Sequence, residues 1–394
     1  MNGFTISRLP RIVFGDGTIL RLPEIVAGHG QRALLVTGSR SHSGLDCWPA
    51  LHGAFGRCGI RLRHVTIDGE PSPGGIDDTV ERARDWEIEV VVGLGGGSAL
   101  DAAKAIAGLI PVQRSVMDFL EGVGPELPYP GPALPFVAAP TTAGTGSEAT
   151  KNAVLSVAGA RGFKKSFRDE RLVAETAVVD PELLVTCPPH VVAANGMDAV
   201  TQLIESYVSL RSVPLTDSLI ETALAGARDA LVPLYDEVGD LRAARSAMAY
   251  ASMISGVTLA QTGLGSVHGL AAPLGAYYPI PHGVVCGTLL AAATEVNIDA
   301  MRGREPNNPA LVKYCRVAEI LCAATFPDTD IACTALVDLL ADWTRALNLP
   351  RLCEFGVGPD GLDDIVAHSR GSSMQTNPIC LTDEEIRTIL TRRL

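Results

Sequence analysis

The chain has 394 residues, 47% of them apolar and 19% charged, enough to bury a large core and long enough to predict two domains rather than one. Its net charge of -12 argues against a nucleic-acid partner or an anionic membrane surface. The opening MNGFTISRLPRIVFGDG lacks a basic segment followed by an apolar stretch, and no later run of roughly 18 apolar residues is expected to span a bilayer, which predicts a cytoplasmic protein.

Along the first 185 or so residues, short β-rich runs at 33–37, 89–93, 134–139 and 177–180 alternate with helical patterns, as in a mostly parallel sheet covered by helices. From Pro188 onward the β-branched runs disappear, and Ala/Leu-rich stretches at 215–231, 241–259 and 331–347 carry helical periodicity. The Pro188-Pro189 pair marks the boundary, because proline favours helix starts and blocks continuation of what precedes it. The expected organisation is an α/β domain over 1–186 and an all-helical domain over 187–394. Nine cysteines, from Cys47 to Cys380 and without a C-x-x-C pair, fit reduced thiols better than a disulfide framework.

Two segments carry the chemistry of the first half. In Val90-Val-Val-Gly-Leu-Gly-Gly-Gly-Ser-Ala-Leu-Asp-Ala-Ala-Lys, a strand runs into a glycine turn and then a helix. Glycines admit a pyrophosphate close to the backbone, and the helix start offers unpaired N–H groups and a positive dipole end. The spacing is neither the G-x-G-x-x-G nor the P-loop pattern. A plain strand-to-helix turn capped by Ser98 is the structural alternative. Pro140-Thr-Thr-Ala-Gly-Thr-Gly-Ser-Glu again follows a strand, and its small hydroxyls suit hydrogen bonds to nicotinamide or ribose, with an ordinary hydroxyl-rich turn as the alternative.

Six ordered motifs then give a resemblance that runs nearly end to end. They are Pro10-Arg-Ile-Val-Phe-Gly-Asp-Gly with Pro71-Ser-Pro, the Gly95 loop, the Thr141 loop, Gly196-Met-Asp-Ala-Val-Thr-Gln, His268-Gly-Leu-Ala-Ala-Pro-Leu-Gly and Pro281-His-Gly. Together they resemble the iron-containing (group III) alcohol dehydrogenase family. The resemblance implies an N-terminal Rossmann-like dinucleotide-binding domain and a C-terminal helical domain of the dehydroquinate synthase-like type. It implies that Gly95, Gly96, Gly97 and Ser98 hold the pyrophosphate, that Thr141, Thr142 and Thr145 line the nicotinamide side, and that Lys164 reaches the cofactor. Ser72 is implied as a ribose contact, and Asp101 and Ser147 are counted with the cofactor-binding residues. Many NAD-preferring relatives carry an acidic residue after the first strand. Here Gly38 removes its repulsion, and Ser39, Arg40 and Ser41 offer donors to a 2′-phosphate, so NADH and NADPH both stay open.

The family's divalent metal is held by an Asp, a His four residues later on the same helix, and two further histidines. Asp198, His268 and His282 match, while Gln202 stands in place of the helical His. Residues at i and i+4 share a helix face, so Gln202 can still converge with Asp198, but its amide oxygen is a neutral and weaker ligand. The expected set is therefore Asp198, Gln202, His268 and His282, holding iron(II) or zinc, with catalysis by Asp198, His268 and His282 through the metal; a vestigial site is the structural alternative. Ala272 stands where many relatives carry a histidine near the nicotinamide, so protons must move by another route.

The implied function is NAD(P)-dependent, metal-assisted interconversion of a small alcohol, polar ones included, and its aldehyde by a homodimer or larger homo-oligomer. A metal-independent reductase resembling maleylacetate reductases is the first alternative. A lyase resembling dehydroquinate synthases is the second, although the helical half lacks the Lys/Arg cluster that a phosphorylated substrate needs. A nucleotide sensor without turnover is the non-enzymatic reading.

Overall fold

The computed structural model describes residues 3–39, 41–42, 44–159 and 162–394. It divides into two compact units, one of Ile6–Val157 with Lys164–Cys187, the other of Pro188–Leu394 with Met1–Thr5 and Ala158–Phe163.

The first unit is built on strands β1 (Arg11–Phe14), β2 (Arg32–Gly38), β3 (Arg61–Ile67), β4 (Val90–Gly95), β5 (Phe136–Pro140) and β8 (Thr176–Val179), all parallel and in the order β1-β8-β5-β4-β2-β3. The inner strands read as unbroken apolar runs because a parallel sheet is covered on both faces. On one face, Leu35, Val92, Leu94 and Val137 pack with Leu22 and Val26 of α1 (Leu22–Ala27) and with Leu51 and Phe55 of α2 (Trp48–Arg57). The other face receives α4 (Gly97–Leu109): a Cβ on Gly93 would lie 3.0 Å from both Ala103 Cβ and Leu100 Cδ2, so only glycine lets the helix settle this close. The helix α3 (Pro73–Arg84) packs beside α4. A separate pair, β6 (Asn152–Val157) and β7 (Phe163–Arg168), completes the unit.

The four expected strands appear as β2, β4, β5 and β8, with β4 reaching two residues further, to Gly95. The strand β3 was not foreseen. It pairs only with β2, and its exposed Arg61, Arg63 and His64 break the apolar pattern. The hydroxyl- and lysine-bearing β6 and β7 escaped for a similar reason.

In the second unit, the regular elements among the described residues are helical: α5 (Pro189–Val208), α6 (Pro214–Tyr235), α7 (Leu241–Thr262), α8 (Ser266–Tyr277), α9 (His282–Arg304), α10 (Ala310–Cys322), α11 (Thr329–Ala346), α12 (Leu362–His368) and α13 (Asp383–Thr391), with short 3-10 turns. Pro189 opens α5 at its first position, where the missing N–H costs nothing. The backbones of α5 and α9 run close together. A Cβ on Gly283 would lie 2.7 Å from Ala194 O, and one on Gly287 2.7 Å from Met197 Cβ.

The expectation about apolar runs needs one correction. By length and composition α9 is apolar enough to cross a bilayer, and 78% of its most apolar window is buried inside the protein. Burial on several sides, rather than lipid, accounts for its composition. All nine cysteines are free.

Candidate active site

The chain passes from β2 outward to β3 and then returns to β4 on the other side of β2, so the C-terminal ends of β2 and β4 form a switch point, where open parallel sheets bind ligands. Gly38 ends β2 and Gly95 ends β4. A Cβ on Gly95 would stand 2.7 Å from Ala99 Cβ, 2.9 Å from Ser41 Oγ and 3.2 Å from Gly38 N, so the two loops close on each other only because this residue is glycine. Gly96 caps α4 without a side chain, which leaves the first-turn N–H groups of a 13-residue helix for an anion. Ser98 lies within that first turn and is not the cap.

The hydroxyl loop stands directly against this turn. Thr141 N donates to Gly95 O at 3.0 Å, and Cβ atoms on Gly96 and Gly97 would approach the Thr142 and Thr145 hydroxyls to 3.3 and 2.8 Å. Gly97→Ala therefore drives a methyl into Thr145, and we expect NADH affinity to fall, read by fluorescence titration, and turnover to fall by roughly 100-fold, the cost of a misplacement of about 1 Å.

The other residues expected to bind cofactor are placed as follows. Ser41 Oγ accepts from Gly38 N at 3.1 Å and Ser39 is exposed, while Arg40 lies outside the described residues. Ser72 caps α3, accepting from Gly75 N at 3.2 Å. Lys164 pairs with Glu70, whose other oxygen accepts from Ser156 Oγ at 2.5 Å.

Asp101 and Ser147 bond to each other, and Asp101 also accepts from Val154 N at 3.1 Å, so much of their capacity is used inside the fold. Both surround a residue to which sequence reasoning gave no role, the fully buried Lys104. Its Nζ donates to Ser147 O (2.9 Å), Ser147 Oγ (3.0 Å), Thr150 Oγ1 (3.0 Å) and Asn152 O (2.6 Å), with Asp101 Oδ1 at 3.6 Å. One ammonium thus ties α4 to the hydroxyl loop and to β6. Burial lowers the Lys104 pKa, opposed by Asp101 and Glu148, and raises that of Asp101.

Beside Lys104, burial lifts the Glu148 carboxyl to about 7, against its own backbone hydrogen bond and the Lys104 charge. A carboxyl that binds its proton more tightly when folded stabilises the protein fully below its unfolded pKa, and that stability is lost as pH rises through about 7. Glu148→Gln should abolish this decline, so that the difference in unfolding free energy between variant and wild type grows by up to about 3 kcal/mol from pH 4.5 to pH 8, read from urea titrations at each pH.

In the helical unit, α5 carries Asp198, Gln202 and Glu205 on one buried face. The 0% exposed carboxylate of Asp198 makes no hydrogen bond of good geometry, yet His268 Nε2 stands 3.3 Å and His282 Nε2 4.0 Å from its oxygens. Burial opposes its charge, but His282 and His268 outweigh burial and hold the carboxyl down at about 2.

Glu205 orients the site. One oxygen lies 2.6 Å from His268 Nδ1 and the other accepts from Val267 N at 2.7 Å, which turns Nε2 toward Asp198 in the carboxylate–histidine arrangement common at metal centres. Burial works against charge on His268, and Cys286, Glu205 and Asp198 overcome it, raising its pKa well above that of free imidazole.

Two features differ from the expected ligand set. Gln202 Oε1 accepts from Ser255 Oγ at 2.8 Å, so the amide is engaged within the helix packing. Cys286, one turn beyond His282 on α9, brings its sulfur to 3.6 Å from His268 Nε2 and 3.8 Å from His282 Nε2. The ligand atoms of Asp198, His268, His282 and Cys286 all lie within 4.8 Å of one another. A tetrahedral ion with ordinary zinc bond lengths has N···O and N···S edges of about 3.3 and 3.5 Å, so the His268 contacts already lie near those edges, while His282 Nε2, 4.0 Å from Asp198, would move inward around a divalent cation.

The comparison with known proteins decides the family. The sequence profile of the iron-containing alcohol dehydrogenases covers residues 10–181, and that of the Fe-containing alcohol dehydrogenase family, C-terminal, covers residues 192–394. The chain belongs to the iron-containing alcohol dehydrogenase family. It is 33% identical to alcohol dehydrogenase 4 of Saccharomyces cerevisiae over 324 residues, 81% of this chain and 80% of that one. It is 29% identical to the NAD-dependent methanol dehydrogenase of Bacillus methanolicus over 98% of both chains. The crystal structure of the archaeal halo-thermophilic Red Sea brine pool alcohol dehydrogenase ADH/D1 bound to NZQ superposes with a TM-score of 0.90 at 28% identity, covering all of both chains. Like other iron-containing alcohol dehydrogenases, this protein is an oxidoreductase acting on CH–OH groups, and the family implies NAD(H) and a divalent metal.

Proposed function

We propose that the protein is an NAD(P)-dependent, metal-assisted alcohol dehydrogenase that reduces a small aldehyde, polar ones included, or oxidises the corresponding alcohol. The observation that carries this reading is the fully buried Asp198 carboxylate, which makes no hydrogen bond of good geometry and has two imidazole nitrogens 3.3 and 4.0 Å from its oxygens, since a buried carboxylate calls for a charge partner or a metal. In this reading residues 1–186 bind the nucleotide and residues 187–394 hold the metal and substrate. A divalent cation at the cluster would supply Lewis acidity toward the substrate oxygen, and the nicotinamide would supply or accept hydride.

The chain's own groups do the rest. The bare backbone at Gly95, Gly96 and Gly97 lets Ser41, Thr142 and Thr145 close around the start of α4, whose uncapped N–H groups would receive the pyrophosphate, and Thr141 ties the adjoining loop to this turn. Glu205 fixes the ring of His268 with Nε2 toward Asp198, so the donor pair is set before any ligand arrives. Ala272, one turn beyond His268 on α8, offers no imidazole, so the proton that completes reduction comes from solvent or from another side chain. The Gly38 turn carries no acidic side chain, which leaves NADPH acceptable alongside NADH.

The maleylacetate reductase-like reading draws on one observation, the engagement of Gln202 with Ser255. The lyase alternative is set aside by family membership. Oxidation of NADH and NADPH by the purified protein across small aldehydes and keto acids separates the two that remain. Turnover of aldehydes is the expected result. Turnover confined to unsaturated keto acids would replace this proposal with the metal-free alternative.

A further inference from the structure

We infer that Cys286, rather than Gln202, is the fourth protein ligand of the cation, so that the site consists of one carboxylate, two imidazoles and one thiolate and prefers zinc to iron(II). The inference rests on the reading above that the cluster holds a divalent metal. The family's usual fourth ligand lies on the helix of Asp198, one turn beyond it. That position is Gln202, whose amide oxygen faces Ser255 Oγ at 2.8 Å, a hydroxyl shared with Ser252 O at 2.7 Å, and which carries no charge to give the metal. The same one-turn device recurs on α9, where Cys286 follows His282 by four residues.

Distance supports the exchange. The Cys286 sulfur stands 3.6 and 3.8 Å from the two imidazole nitrogens, close to the N···S edge of about 3.5 Å for a tetrahedral ion; of the two N···O edges, His268 Nε2 to Asp198 Oδ1 at 3.3 Å matches and His282 Nε2 to Asp198 Oδ2 at 4.0 Å is wider. A cysteine side chain is short, and it reaches only because Gly283 and Gly287, on either side of it in sequence, let the α9 backbone press against Ala194 and Met197 of α5. A cysteine on this face of α9 is also sealed from solvent, with 0% exposure, which removes thiol modification as its purpose.

On binding, the S–H bond breaks, the proton passes to solvent, and the sulfur electron pair is shared with the cation. Thiolate is a softer donor than an amide oxygen, and the divalent series already places zinc above iron(II), so both effects favour zinc.

Cobalt(II) reports the ligand directly through its intense near-ultraviolet sulfur-to-cobalt charge-transfer band. Metal-free protein titrated with cobalt(II) should bind one equivalent and develop this band. In Cys286→Ser the band should vanish while the weaker visible bands persist, and zinc affinity should fall by at least the roughly 10–100-fold that loss of an outer hydrogen-bond partner costs. In Gln202→Ala the band should remain. Asp198-dependent cobalt binding without the band, or a band that survives Cys286→Ser, would overturn the inference and leave the metal site standing. No cobalt binding at all would overturn the metal reading and this inference together. The wild-type spectrum decides the first of these outcomes even where a variant does not fold.

Discussion

Asp198→Asn is expected to release the divalent cation and to lower aldehyde reduction by about 100- to 1000-fold, the cost of losing one preorganised electrostatic group at a reacting oxygen. The substitution keeps the shape of the side chain and removes only its charge. That charge is the one carboxylate in direct reach of both imidazoles, and their attraction is strong enough to hold the group near a pKa of 2 despite full burial. Without it, two imidazoles and a thiol must bind a dication with no neutralising partner except the cation's own effect on the thiol. Metal content per chain, measured after gel filtration, should fall with kcat, whereas NADH titration should be unchanged. A variant that kept its metal would show that the other donors suffice.

Lys104→Met should produce the largest loss of stability, about 3–5 kcal/mol in the unfolding transition of the N-terminal unit, which is the penalty for removing one partner of a buried ionic network. Methionine fills similar volume, so packing is nearly conserved and the loss is polar. Ser147 O, Thr150 Oγ1 and Asn152 O each lose a donor, and Asp101 is left desolvated beside Ser147 without its cation. Because Ser147 belongs to the loop that stands against the Gly95 turn, nucleotide affinity should drop as well. Urea denaturation followed by tryptophan fluorescence, together with NADH titration, reads both effects. An unchanged midpoint would mean that the buried ammonium contributes nothing net.

Much of this architecture was legible in the residues alone, and the reasons are physical. Strands β2, β4, β5 and β8 are buried on both faces, so they appear as apolar runs that no helix period disguises. The strand β3 interrupts Leu62, Val65 and Ile67 with Arg61, Arg63 and His64, and β7 carries Lys164 and Lys165, so neither produces such a run. Glycine positions were informative wherever a Cβ would collide, as at Gly95 and Gly97, because only one residue type satisfies the contact.

The site was legible where chemistry is rare and opaque where it is common. Asp198, His268 and His282 fall in motifs that resemble the family's, and the resemblance marks them, whereas Cys286 looks like one more thiol among nine. Its only sequence signal was the four-residue spacing from His282, the relation that also links Asp198 to Gln202. Lys104 was hidden by the opposite expectation, since lysines are seldom fully buried and its partners are mainly loop oxygens. Asp101 sits in a motif that suggests ligand binding, and only the fold shows its carboxylate turned to Ser147 and Val154.

The most direct test of metal-assisted reduction is aldehyde-dependent NAD(P)H oxidation by the wild-type protein, measured before chelation, after it, and again after zinc or iron(II) is added back. Turnover that disappears on chelation and returns with the metal is the predicted result. Turnover indifferent to the chelator, with the metal verifiably removed, would contradict it.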